Sequence, residues 1–153
     1  MISFTTIVTN LKEAASSLTS VNTVDFVSID MLDANWQNAV YPYVFFRPLT
    51  SPGLTISDAN MASPRRLNFE MYIMDIPLQT DTDVVDVMSN TEQIGYDILS
   101  DFYDGAYDDI IKVTTNNIVP LFEAFQDRAA GWVFSITIET APSGFTSCNR
   151  TES

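Results

Sequence analysis

Over the first twenty residues, apolar side chains return every third or fourth position. Phe4, Ile7, Val8, Leu11, Ala15 and Leu18 fall on one stripe, with Lys12, Glu13 and the Thr and Asn residues off it. This period predicts an amphipathic helix ending near Ser20. The period then shortens to two. Val24 to Met31 alternates briefly, and Val40 to Leu49 is rich in β-branched and aromatic residues with a Pro toward each end, so both read as strands. Between Leu49 and Arg65 lie Pro52, Gly53, Pro64 and several Ser, Thr and Asn residues. That composition cannot sustain a hydrogen-bonded ladder, and it predicts a long loop joining two strands.

Next, Leu67, Phe69, Met71 and Ile73 alternate with Asn68, Glu70, Tyr72 and Met74, a strand expected to stop near Pro77. Asp81 and Asp83 suit the positive end of a helix. Val84, Met88, Thr91, Ile98 and Phe102, widened by Val87, Ile94 and Leu99, trace its apolar side. Asp83, Asp86, Asn90, Gln93, Asp97, Asp101 and Asp104 trace the opposite side, and Gly105 is the expected stop. Ile110 to Thr114 reads as a short strand, and Asn117 to Gln126 as an extended segment held to a sheet edge by Pro120. Asp127 to Gly131 reads as a turn. Trp132, Phe134, Ile136 and Ile138 then alternate with Val133, Ser135, Thr137 and Glu139 as a final strand. Helix, strands, helix, strands is the order of an α+β domain. We expect a mostly antiparallel sheet with two helices packed on one face over residues 1–140, and a polar tail over 141–153.

Composition narrows what such a domain does. The chain has 153 residues (17.1 kDa), of which 46% are hydrophobic, enough for one domain to bury a core. Twenty acids against seven Lys and Arg give a formal charge of −13. Such a chain repels phosphate backbones and anionic headgroups, which excludes nucleic-acid clamps and membrane-surface binding as primary roles. There is no His, which excludes Ser-His-Asp and Cys-His catalysis and His-containing zinc sites. A lone Cys148 points to a reduced, intracellularly assembled protein, and no targeting pattern or membrane-length apolar run is evident.

The acids are unevenly distributed. Asp75 to Asp109 holds ten of the twenty and no Lys or Arg. Asp97, Asp101, Asp104 and Asp108 recur at helical spacing and, with Asp109, predict an acidic surface. A calcium loop does not fit, because Asp101 to Gly105 lacks the alternating oxygen ligands and the closing Glu. A glycosidase would need two acids across a cleft, and here acids and tyrosines show no diagnostic spacing. The five glycines are isolated, so no phosphate loop is encoded. No catalytic, cofactor or metal site is expected.

Two strands carry apolar residues on both faces: Tyr41, Tyr43 and Phe45 oppose Val40, Val44 and Phe46, and Tyr72, Met74 and Ile76 oppose the Leu67 to Ile73 set. A sheet covered by helices on one side should be polar on the other. Its second face, with Leu54 and Ile56 of the long loop, is therefore an expected subunit contact. The bland alternative is cover by the chain's own loops. Arg65 and Arg66 form the only adjacent basic pair and match a neighbour's Asp-rich helix, which favours head-to-tail association. The alternative role is strand-edge protection. A third reading, a monomeric carbohydrate- or ligand-binding module, would use Trp36, Tyr41 and Tyr43.

The segment Ala130-Gly131-Trp132-Val133-Phe134-Ser135-Ile136-Thr137-Ile138-Glu139, followed by a short polar tail with Cys148, resembles the C-terminal end of tail-completion and tail-terminator (neck) proteins of tailed bacteriophages. Ile118 to Phe122, Phe125 to Asp127, the Asp81 to Asp104 helix and the long loop follow in the same order. The resemblance implies a small α+β subunit forming a six- or twelve-fold ring at the head–tail junction or tail end, without catalysis. It also implies portal, adaptor or tail-tube neighbours, assembly in the host cytoplasm, and DNA only as passing cargo. A head-completion adaptor or tail-tube subunit is the nearest alternative. An acidic channel wall would let a polyanion slide without sticking.

Overall fold

The computed structural model describes residues 3–26, 41–50, 65–77, 81–105, 110–124 and 129–141. Helix α1 spans Phe4–Ser16 and is started by Ser3, whose hydroxyl accepts from the Thr6 amide at 3.1 Å. It ends four residues before the sequence period suggests. The Ser17 hydroxyl turns back onto the Ala14 carbonyl (2.9 Å), and Leu18 and Val21 continue as tight turns. Leu18 keeps its apolar contact from outside the helix, which is why the period runs on past Ser16.

Among the described residues five strands form one sheet: β1 (Thr23–Phe26), β2 (Tyr43–Pro48), β3 (Arg65–Asp75), β4 (Ile110–Ala124) and β5 (Ala129–Thr140), in the order β1-β2-β3-β5-β4. Only β1 and β2 pair in parallel, so the fold is α+β with a mostly antiparallel sheet. Ile110–Thr114 and Asn117–Gln126, expected as separate pieces, are one strand as far as Ala124, and Phe125 and Gln126 lie outside the described residues. Register shifts at Ile110/Lys112, Thr115/Asn117 and Leu121/Ala124 absorb the irregularity that breaks the sequence pattern. The edge position expected from Pro120 holds.

The expected turn at Asp127 to Gly131 is corrected over its second half. Ala129, Ala130 and Gly131 lie inside β5, and Ala130 and Gly131 pair with Asp75 and Met74. Small residues sit there because the backbones approach closely, and a methyl group on Gly131 would run into the Ile73 carbonyl.

The long helix α2 spans Asp81–Asp104, and the Gly105 amide closes it on the Asp101 carbonyl at 2.9 Å. Both helices pack on the same face of the sheet. Ile7 and Leu11 of α1 and Ile98 and Phe102 of α2 share one core with Val44, Phe46, Phe69, Ile73 and Phe134. Phe4 stacks on Phe69 with centroids 5.9 Å apart, and Phe26 meets both rings edge-on. Buried in mid-helix, Thr91 satisfies its hydroxyl on the Val87 carbonyl at 2.7 Å. No helix among the described residues is long and apolar enough to cross a membrane.

Candidate functional surface

The sheet's other face is graded. Cross-strand register arranges its side chains in rows. At one end Phe45, Tyr72, Val133 and Val119 form one row, and Tyr43, Met74, Gly131 and Leu121 the next. At the other end Arg47, Glu70, Ser135 and Asn117 form a row, followed by Asn68, Thr137 and Thr114, and then by Arg66, Glu139 and Lys112. The second face, expected to be apolar on the strength of Tyr43, Phe45, Tyr72 and Met74, is apolar only over its first half. Alternation reveals polarity strand by strand, but only the register shows that the polar positions of β2, β3, β5 and β4 share one end.

The polar rows are internally connected. Arg47 lies 3.5 Å from Glu70 and Arg66 lies 3.9 Å from Glu139, each pair directly opposite across a strand boundary. Asn116, the extra residue at a register shift, donates to the Thr137 hydroxyl (2.7 Å), which donates to Asn68 Oδ1 (2.7 Å). Asn68 in turn reaches the Thr50 carbonyl at 3.0 Å. These side chains link across the face. Burial raises the pKa of the Tyr72 hydroxyl, and Glu70, which accepts its proton at 3.1 Å, raises it further.

The apolar end is occupied within the single chain. Tyr43, Phe45 and Met74 are 1%, 0% and 0% exposed. A side chain without exposed surface offers none to a neighbour, so these three leave the expected subunit contact and belong to a second, smaller core. Phe45 stacks on Tyr72 with centroids 4.2 Å apart. The Tyr43 hydroxyl donates to Asp25 at 2.5 Å, and burial followed by this carboxylate raises its pKa. A sugar-stacking platform needs exposed ring faces, which Tyr43 lacks. Tyr41 and Tyr72 are half-buried. Ile76, read as part of this face, lies past the end of β3 and is exposed. Leu54, Ile56, Asp108, Asp109 and Trp36 lie outside the described residues.

Arg65 and Arg66 do not form one patch. Successive strand residues point to opposite faces, so Arg66 joins the outer rows, exposed, while Arg65 is half-buried on the helix side of the sheet. Among the described residues, the cations that share a surface with Arg66 are Arg47 and Lys112, neither of them adjacent in sequence.

The acidic side of α2 lies opposite the buried Thr91, Ile98 and Phe102. Asp86, Asp101 and Asp104 are exposed, and Asp83 and Asp97 are half-exposed. The Gln93 amide donates to Asp97 at 2.9 Å. Near the C-terminal end of α2, Asp101 and Asp104 face Asn10 and Glu13 of α1 and its C-cap Ser17 across a cavity of about 300 Å³. Neither helix has a basic residue in its last turn. Among the described residues no three acidic or sulfur side chains converge as a metal site requires. A larger cavity of about 450 Å³, between α2 and the sheet edge, is lined by Val84, Val85, Met88, Ser89, Pro120 and Trp132 with one acid, Glu92. It does not hold the two facing carboxylates of a glycosidase.

No protein-family model matches this chain, and no curated protein sequence matches it.

Proposed function

We propose that the chain is a structural virion protein, a ring-forming neck or tail-terminator subunit of a tailed bacteriophage. It would sit at the head–tail junction or tail end, beside portal, adaptor or tail-tube proteins. The observation that carries this reading is the segregation of charge between the two sides of the fold. The outward side of α2 bears Asp83, Asp86, Asp97, Asp101 and Asp104 and no cation, whereas the polar half of the outer sheet face holds Arg47, Arg66 and Lys112. One side therefore repels a polyanion and the other tolerates close packing. The likeness of Ala130 to Glu139 to the C-terminal strand of neck proteins supports the same reading.

A six-membered ring would carry 6 × 13 = 78 negative formal charges. Contacts between subunits must offset that self-repulsion, and salt must modulate it. Light scattering in solution tests the proposal. A discrete six- or twelve-fold multiple of 17.1 kDa at moderate salt is expected, with ring-shaped particles in negative stain. A chain that stays monomeric at every salt and protein concentration would overturn it.

A further inference from the structure

The two sides that differ in charge are also complementary. Over the polar half of the outer sheet face, Arg47, Arg66 and Lys112 oppose Glu70 and Glu139, a described balance of 3 − 2 = +1 on a chain whose formal charge is −13. Arg66 is 56% exposed at its side chain, and Lys112 is exposed beside Glu139. The acidic side of α2 is locally unfavourable in two ways. Asp97, Asp101 and Asp104 sit one helical turn apart, where like charges repel. Asp101 and Asp104 also stand at the negative end of the helix dipole, where a cation belongs and none occurs in the last turn. Glu13 adds a third carboxylate across the adjoining cavity. A chain that keeps so many local charge conflicts on one exposed side is suited to a partner that relieves them.

We propose that a second copy of this chain docks the acidic side of its α2 on the polar half of the outer sheet face, with Arg66 and Lys112 meeting Asp101 and Asp104. This rests on the subunit reading above and names the surfaces that join. The contact is between unlike surfaces, so it propagates from copy to copy and closes into a ring when the rotation allows. A helix laid on the outer face also covers rows that α1 and α2, the helices among the described residues, do not reach from the other side. Pairing through the β4 edge, beyond which no strand lies among the described residues, is a poorer route. Pro120, Lys112 and three register shifts are the devices by which an edge strand resists strand addition.

A charge-swap experiment tests the contact. The double variants Arg66→Glu with Lys112→Glu and Asp101→Lys with Asp104→Lys are each made in the full chain. Each alone should lose the wild-type oligomer at low salt, with apparent dissociation constants raised about tenfold or more, while far-UV circular dichroism stays as in wild type. The helix variant is safe to fold, because cations at that end of α2 complement the dipole. An equimolar mixture should recover assembly, since the reversed face of one variant meets the reversed helix of the other. If the wild type assembles and both variants assemble equally well, this contact is wrong and the subunit reading survives. If each variant fails alone and the mixture does not recover, the two surfaces serve separate contacts and the pairing is overturned. A wild type monomeric throughout overturns both.

Discussion

Gly95 of α2 lies against the ring of Phe134 on β5 so closely that a methyl group in its place would overlap that ring and stand 2.7 Å from Ile73 Cδ1. Phe134 and Ile73 are both fully buried, so neither can retreat. Gly costs a helix about 1 kcal/mol relative to Ala, but overpacking a filled core costs about 1–3 kcal/mol. The second effect should win. Gly95→Ala is expected to lower stability by up to about 2 kcal/mol net, read as a lower Tm in thermal unfolding. An unchanged or raised Tm would mean that α2 can lift off the sheet at no cost.

The Trp132 indole N–H donates to the Met88 carbonyl at 2.7 Å, tying the first half of α2 to β5 where its apolar side is only half-buried. Trp132→Phe keeps a ring in place and removes the donor. The expected loss is about 1 kcal/mol, with hydrogen exchange in the first half of α2 accelerating more than in the second. Uniform exchange along the helix would show that this bond does not anchor that half.

Asp75, at the end of β3, is partly buried and accepts from the Ile76 amide at 2.8 Å. Desolvation raises its pKa above the ordinary 3.8, partly countered by that hydrogen bond. A carboxyl raised in the folded state binds its proton more tightly there than in the unfolded chain. Its stabilising contribution is therefore full below 3.8 and is lost as the pH climbs through the raised value. Asp75→Asn retains the acceptor and removes the charge. The variant should gain Tm relative to wild type at pH 7, and the gain should vanish toward pH 3.5. Equal differences at both pH values would refute the assignment.

Asp104 closes a helix whose last turn has no cation. Asp104→Lys should raise the Tm at low ionic strength, and 1 M salt should erase most of the gain, because the Debye length falls from about 10 Å at 0.1 M to about 3 Å. A lower Tm for the monomeric variant would show that Asp104 already has a favourable partner within its own subunit.

The two helices and the final strand are legible because their burial patterns are local. The 3.6-residue period of α2 distinguishes Ile98 and Phe102 from Asp97 and Asp101, and Gly105 marks its stop to the residue. The turn expected at Asp127 through Gly131, of which Ala129 to Gly131 lie in β5, shows the limit of such reasoning. Small residues look alike in sequence whether they bend a chain or let two backbones approach, and only the pairing with Asp75 and Met74 separates the two. The candidate surface was harder to read. Arg66 stands out because Arg65 adjoins it, yet its real companions, Arg47 and Lys112, lie 19 and 46 positions away and meet it only through the register of four strands.

Composition and periodicity alone determined the α+β class, the acidic side of α2 and the exclusion of His-dependent chemistry, since each depends on residue identity or on spacing within one element. The tertiary structure decided which strands are neighbours, that the outer face is half polar, and that Tyr43, Phe45 and Met74 are spent inside the chain. Those properties belong to contacts between distant segments. Strand order and register are set by how the whole core packs, and no single segment carries that information.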